Sequence, residues 1–322
     1  MEKVAVIGAG SFGTAISQII VKNVEKVILY SRRENITKNI ENIGYNLEYY
    51  PNTKLNSKII PTNNLNDIQE CDVIFLAIPS SAIRNTLEKI KNSLENKIIV
   101  TVAKGIECQT LKTMGKIIEE YSENYVVLSG PNFASEIILD LATVTNISSK
   151  NLKNAKIIKK ILETDQFKVE IIDDIIGIEF CGIMKNINAI AYGICEGMNI
   201  NENARYGVLT KGFKDTKNIL TKLGGDKNTL DTYCGFGDLV LTSTSKESRN
   251  HTLGILHGQK LIVDESSGVV FEGKNSIIAM KKLCDENSIK SVVVEFVYEV
   301  IVEKIPATIA FKKLWDNLLL EN

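Results

Sequence analysis

The most constraining feature of the chain is its start. Val4-Ala5-Val6-Ile7-Gly8-Ala9-Gly10-Ser11-Phe12-Gly13-Thr14-Ala15 sets three glycines in a G-x-G-x-x-G pattern directly after a continuous apolar run. Such a run reads as a buried strand and the residues after Gly10 as the opening of a helix. Gly8 permits the tight turn, Gly10 lets the backbone approach a pyrophosphate, and Gly13 allows close helix–strand packing. The helix N-terminus then faces negative charge. Placed between a strand and a helix, the pattern points to dinucleotide binding, which the glycines alone would not establish.

The rest of the first half repeats the theme. Lys3 to Ile7, Lys26 to Tyr30, Val73 to Ala77, Lys97 to Val102 and Tyr125 to Leu128 read as buried strands. Phe12 to Lys22, Ala82 to Ser93 and Thr110 to Tyr121 have helical length and periodicity. This alternation predicts a parallel sheet covered on both faces. Val144 to Ser148 and Lys168 to Ile172 add expected edge strands around a helix near Leu152 to Glu163. From Asp174 onward helices dominate, over Asp174 to Glu196, Arg205 to Leu223, Asn250 to Gly258, Ser276 to Glu286 and Val292 to Glu303. The expected fold is therefore α/β, a Rossmann-type domain over 1–173 followed by an all-α substrate-binding domain over 174–322.

Charge narrows the partners. With 38 Lys plus Arg against 39 Asp plus Glu, the net charge of -1 supplies no basic field for nucleic acid or an anionic membrane. No apolar run approaches the roughly 20 residues of a membrane span, and Met1-Glu2-Lys3 leads into a strand without a secretory segment. A cytoplasmic protein is expected. The six cysteines contain no C-x-x-C pair and read as packed thiols rather than disulfides or a metal site. The two histidines, His251 and His257, read as ordinary helix residues because no carboxylate stands at a fixed spacing from either. Proton transfer then falls to another side chain, and no metal is expected.

Several residues stand where chemistry would need them. The second strand ends in Tyr30-Ser31-Arg32-Arg33, without the acid that usually binds the adenosine ribose. Two guanidiniums there suit a 2′-phosphate and hence NADP or tolerance of both cofactors, or they are solvated arginines in a loop. Ala77-Ile78-Pro79-Ser80 either lines the cofactor path or starts a helix. Lys104 follows an apolar strand beside Gly105. Lys185 lies on a helix among Cys181, Gly182, Asn188 and Ala189, a face of small and mostly apolar groups. Desolvation there, with Lys104 as a second cation, would favour the neutral amine and suit Lys185 to act as a general base. Asp238, after Gly235-Phe236-Gly237, caps the next helix or holds a substrate hydroxyl or Lys185. Ser248-Arg249-Asn250 joins a helix start to an arginine, a combination that binds phosphate.

Taken together, Gly8 to Ala15, Lys104-Gly105, Ser129-Gly130-Pro131-Asn132-Phe133-Ala134, Lys185-Asn186, Gly237-Asp238-Leu239, Ser248-Arg249-Asn250 and Val270-Phe271-Glu272-Gly273 resemble the NAD(P)-dependent glycerol-3-phosphate dehydrogenases of the bacterial type. The resemblance implies an enzyme that interconverts dihydroxyacetone phosphate and sn-glycerol 3-phosphate with NAD or NADP, with Lys185 as proton acceptor and Lys104 and Asp238 in the catalytic group. Ser11, Phe12, Arg32, Arg33, Tyr49, Lys104, Ala134, Arg249, Val270 and Glu272 are implied as cofactor contacts beside the glycines. Lys104, Gly130, Asn132, Lys185, Asp238, Ser248, Arg249 and Asn250 are implied to meet the phosphorylated substrate. Asn132 stands where relatives often carry Ser or Thr, and His251 where some have arginine. The expected assembly is a homodimer and the expected role is supply of glycerol phosphate for phospholipid synthesis. Two alternatives remain: a β-hydroxyacid or ketopantoate-type NADP-dependent reductase, and a dinucleotide-binding sensor without catalysis.

Overall fold

The computed structural model describes residues 2–261 and 272–320. The chain divides into two compact units, one of residues 1–103 and 114–175, the other of residues 104–113 and 176–322. A single boundary at 173/174 puts the segment Lys104–Thr113 with the sheet, whereas the structure groups it with the helical unit.

The first unit opens with β1 (Val4–Ile7), α1 (Ser11–Ile20), β2 (Val27–Tyr30) and α2 (Glu34–Ile43). A hairpin of β3 (Tyr45–Asn46) and β4 (Tyr50–Lys54) follows, then β5 (Ile59–Thr62), β6 (Val73–Leu76), α3 (Ile83–Ile90) and β7 (Ile98–Thr101). It ends with α4 (Met114–Glu119), β8 (Tyr125–Ser129), α5 (Ala134–Ile137), β9 (Thr143–Ser148), α6 (Leu152–Leu162) and β10 (Phe167–Ile171). Eight strands form one sheet in the order β10-β9-β8-β7-β6-β1-β2-β5. The central strands are apolar at nearly every position because helices cover both faces; β1, β6, β7 and β8 are buried at every residue. Pairing is parallel from β5 across to β8, as the strand–helix alternation predicts.

Three details differ from the sequence expectation. β9 runs antiparallel to β8. Its connection contains only the four-residue α5, about 6 Å of helix, too short to carry the chain back along the sheet. The helix expected over Thr110 to Tyr121 is confined to Met114–Glu119, because Thr113 bridges back to Ile106 instead. α2, the hairpin and β5 were not expected at all.

The second unit contains α7 (Ile175–Gly197), α8 (Glu202–Lys222), α9 (Asp238–Thr244), α10 (Arg249–Gly258), α11 (Glu272–Glu286), α12 (Val292–Ile301) and α13 (Ala307–Asp316). From Gly177 to Cys195 every residue of α7 is buried except Lys185. A helix covered on all sides needs neighbours that approach its backbone, and glycines supply the approach. A Cβ on Gly193 would lie 2.2 Å from the His251 carbonyl oxygen, and one on Gly254 would lie 2.3 Å from that of Ile190. Gly197 and Gly258 repeat the contact one turn on, at 2.3 Å from the carbonyls of Ile255 and Ile194. The pairs Gly193/Gly197 and Gly254/Gly258 therefore fix α10 against α7.

Gly254→Ala should destabilise the protein by about 1–3 kcal/mol, the usual cost of forcing extra volume into a packed contact. Urea unfolding monitored by circular dichroism checks this; an unchanged midpoint would show that the two helices separate freely.

Candidate functional site

In the first unit the chain leaves β1 towards β2 on one side and returns to β6 on the other, so the sheet changes direction between β1 and β6. Ligands of open α/β sheets bind at the carboxyl ends of strands at such a point. The glycine loop occupies it. Gly8 has φ +116°, and a Cβ there would stand 2.3 Å from the Ala77 carbonyl oxygen just past β6. A Cβ on Gly13 would stand 1.8 Å from the Gly8 carbonyl. Packing within the protein thus requires both glycines. Gly10 is different: a Cβ there meets nothing within 4 Å. Since no protein atom demands a glycine at that position, the open space above it suits a ligand. Gly10 also caps α1 with no side-chain hydrogen bond, leaving the first N–H groups of the helix to an incoming anion.

Two residues brought in by the hairpin brace this loop, and local sequence gave no sign of either. Asn46 is fully buried, and its amide donates to the Ala9 carbonyl at 3.1 Å and to Thr14 Oγ1 at 2.9 Å. Tyr50 Oη lies 2.7 Å from Ser11 Oγ and donates to the Ser11 carbonyl at 3.0 Å. Burial pushes the Tyr50 phenol above its ordinary value, so it keeps the proton it donates. Ser11 is exposed at the head of α1, and Phe12 and Ala134 pack against the sheet core. Pro79 precedes a short 3₁₀ turn, Ser80–Ala82, that leads into α3, so the helix-start role of Ala77 to Ser80 is realised.

Beyond β2, Ser31 is buried while Arg32 and Arg33 are exposed. Arg33 donates to Glu48 and, at 2.8 Å, to the hydroxyl of Tyr49; its guanidinium carbon lies 5.4 Å from the Tyr49 ring centre. Arg32 has no hydrogen bond or ion pair among the described residues. Asn132 donates to the Val144 carbonyl at 2.8 Å and accepts from Thr145 at 2.9 Å, so one amide N–H is left for anything else. A Cβ on Gly130 would lie 2.9 Å from Thr145 Cα.

The second unit has its own polar centre. Lys185 Nζ lies 2.6 Å from both carboxylate oxygens of Asp238, with side-chain exposures of 11% and 2%. Thr242 adds a hydrogen bond to the same carboxylate at 3.0 Å. Burial of Lys185 is what the sequence predicts, and of the roles open to Asp238 the structure realises the hold on Lys185. Where a second cation is expected beside the nitrogen, a carboxylate stands instead. Asp238 is the first residue of α9 and follows a π-helical turn, Tyr233–Gly237, so its side chain serves Lys185 and not merely a helix end. Lys104 is half-buried in the segment grouped with this unit.

At the head of α10, Ser248 caps the helix by accepting from His251 N–H at 3.2 Å. Arg249 is exposed with no hydrogen bond or ion pair among the described residues, and Asn250 carries a buried side-chain oxygen without a partner. His251 corrects the sequence reading. It is fully buried, its Nδ1 lies 3.0 Å from the Ser245 carbonyl, and its Nε2 lies 3.4 Å from Glu196 of α7. That carboxylate is 55 positions away in sequence and invisible to a spacing argument. Val270 falls outside the described residues; Glu272 opens α11.

The glycine loop at the switch of a mostly parallel sheet defines a Rossmann-type nucleotide-binding unit, and the helical unit holds a buried Lys185–Asp238 ion pair. Family models carry the assignment further. The N-terminal domain of NAD-dependent glycerol-3-phosphate dehydrogenases matches residues 3–155, and the C-terminal domain matches residues 174–312. The chain belongs to this family. It is 38% identical over 306 residues to the glycerol-3-phosphate dehydrogenase [NAD(P)+] of Methanothermobacter thermautotrophicus, covering 93% of each chain. A glycerol-3-phosphate dehydrogenase structure from Coxiella burnetii superposes with a TM-score of 0.91 at 27% identity, covering 98% of this chain and 99% of that one. A ketopantoate reductase from Ralstonia eutropha reaches 0.62 at 12% identity, over 97% of this chain and 99% of that one, a likeness of fold alone.

Gly10→Ala should leave the unfolding midpoint unchanged, since its methyl meets no protein atom, yet weaken NADH binding measured by nicotinamide fluorescence. Equal affinity in the variant would remove the ligand from the space above Gly10. Asp238→Ala should lower stability by about 3–5 kcal/mol in urea titration, because it leaves a buried ammonium without its carboxylate.

Proposed function

We propose that this chain is an oxidoreductase that interconverts dihydroxyacetone phosphate and sn-glycerol 3-phosphate with NAD(H) or NADP(H). The observation that carries the reading is Lys185, the one opening between Gly177 and Cys195 of a buried helix, held on both oxygens of Asp238. Membership of the dehydrogenase family supplies the substrate class.

Gly8, Gly10, Gly13, Ser11 and Phe12 are assigned to the dinucleotide, with Arg32, Arg33, Tyr49 and Ala134. The residues fit such a group: an uncapped helix start, an open glycine and two glycines required by packing. When bound, the nicotinamide exchanges a hydride with C2 of the substrate. The chain's own part is the proton. In reduction the Lys185 ammonium gives a proton to the ketone oxygen, and in oxidation the amine takes the proton of the C2 hydroxyl. Asp238 aims the nitrogen, and Thr242 aims Asp238. Arg249 and Asn250, at the head of a capped helix, bind the phosphate and so orient C2 at a distance from it. Lys104, Gly130 and Asn132 are assigned to the substrate on the family resemblance, Asn132 through its remaining N–H. We further assign the product to phospholipid synthesis, the protein to the cytoplasm and its assembly to a homodimer. Among the described residues no helix is long and apolar enough to cross a membrane.

Following NADH and NADPH absorbance with dihydroxyacetone phosphate as acceptor tests the reaction directly. Lys185→Ala should lower kcat by roughly 10²–10⁴-fold, the usual contribution of a positioned acid–base group, while nucleotide binding persists. Full activity in that variant would end the proposal. Arg249→Ala should raise the KM for dihydroxyacetone phosphate by about tenfold or more, near 1.4 kcal/mol. Equal turnover of a ketone lacking phosphate would instead favour the hydroxyacid reductase reading.

A further inference from the structure

The loop after β2 poses a question that the dinucleotide reading leaves open. In doubly wound folds an acid at this place binds the 2′-hydroxyl of the adenosine ribose, and an arginine nearby accommodates a 2′-phosphate. Here Ser31 follows the strand and is turned inward, its Oγ accepting the Arg33 N–H at 3.0 Å. No carboxylate comes from β2. One comes from the turn of the β3–β4 hairpin, where Glu48 accepts from Arg33 Nη1 while Tyr49 accepts from Nη2. Glu48 and Tyr49 take one N–H from each terminal nitrogen of the guanidinium and hold its two arms towards the hairpin, in competition with a bidentate grip on phosphate. A 2′-phosphate placed there would also meet the Glu48 carboxylate with like charge, whereas a ribose hydroxyl could donate to it. The other charges near the loop are Arg32, which is exposed, and Glu34, which is paired with Lys38 at 2.8 Å.

We propose that Glu48 is a specificity-determining residue that makes this chain bind NAD(H) more tightly than NADP(H), by occupying Arg33 and by offering its own carboxylate to the ribose. The inference rests on the dinucleotide reading above. It does not rest on the substrate. The Arg33–Glu48 pair is exposed on both sides, at 46% and 38%, so it adds little to stability and its removal leaves the fold intact.

Fluorescence titration of the full chain with NADH and with NADPH at one fixed ionic strength tests this without turnover. The unaltered protein should bind NADH more tightly. Glu48→Gln keeps the shape and removes the charge, and should tighten NADPH relative to NADH by about tenfold, equivalent to 1.4 kcal/mol. Adding Arg33→Ala to Glu48→Gln should abolish that gain, because the freed guanidinium is its source. Tighter binding of NADPH by the unaltered protein, or an unchanged ratio in Glu48→Gln, overturns the proposal. Failure of both nucleotides to bind overturns the dinucleotide reading with it, while a wrong substrate assignment leaves the ratio untouched.

Discussion

An ammonium taken out of water is costly unless a counter-charge and hydrogen bonds replace its hydration, by several kcal/mol even after relaxation. The pairing of Lys185 with Asp238 meets that requirement in the helical unit, and much of the local design follows from it. α7 is buried on both sides of Lys185, and further along it the glycines of α7 and α10 let those two helices pack backbone to backbone. Asp238 must be brought from another element, and the π-helical turn before α9 delivers it. The same contact fixes where the side chain points: both carboxylate oxygens lie 2.6 Å from Lys185 Nζ, so the nitrogen is held in one place.

Close approach of backbones is the shared device of both units. In the sheet unit, Gly13 sits against Gly8 and Gly8 against Ala77, which holds the start of α1 at the ends of β1 and β6. In the helical unit, paired glycines do the same for α10 and its capped first turn. Each helix start is thereby fixed by contacts a residue with a side chain could not make. Gly10 stands apart because nothing in the protein fills its side-chain position. A glycine demanded by packing and one left open for a ligand look alike in sequence, and only the surrounding atoms separate them.

That distinction explains what the sequence disclosed. Strands with continuous apolar runs, such as Val73 to Leu76, announce themselves because both of their faces are buried. α2 does not: Glu34 to Ile43 is mostly Asn, Glu, Lys and Thr, and only Ile36, Thr37 and Ile40 face inward. The hairpin is shorter still, with a register irregularity at Tyr45/Asn46, so it shows no period at all. Lys185, Lys104, Asp238 and Arg249 stand out in the sequence because charged residues beside glycines or at element ends violate the local pattern. The residues that brace the glycine loop, or that hold Arg33 and His251, do not stand out: Asn46, Tyr50, Glu48 and Glu196 reach their places through chain separations that no spacing rule encodes.

The unread residues have a common character: each supports another residue of the chain. Asn46 and Tyr50 fix the loop carrying Gly10 and Ser11, Glu196 faces the histidine that follows Asn250, and Glu48 engages Arg33. A reacting group must be of one chemical type, so its identity survives in sequence as an oddity. A supporting group need only present a donor or acceptor at the right point, which several residue types on several elements can do. Its role therefore resides in the folded contact rather than in the local string.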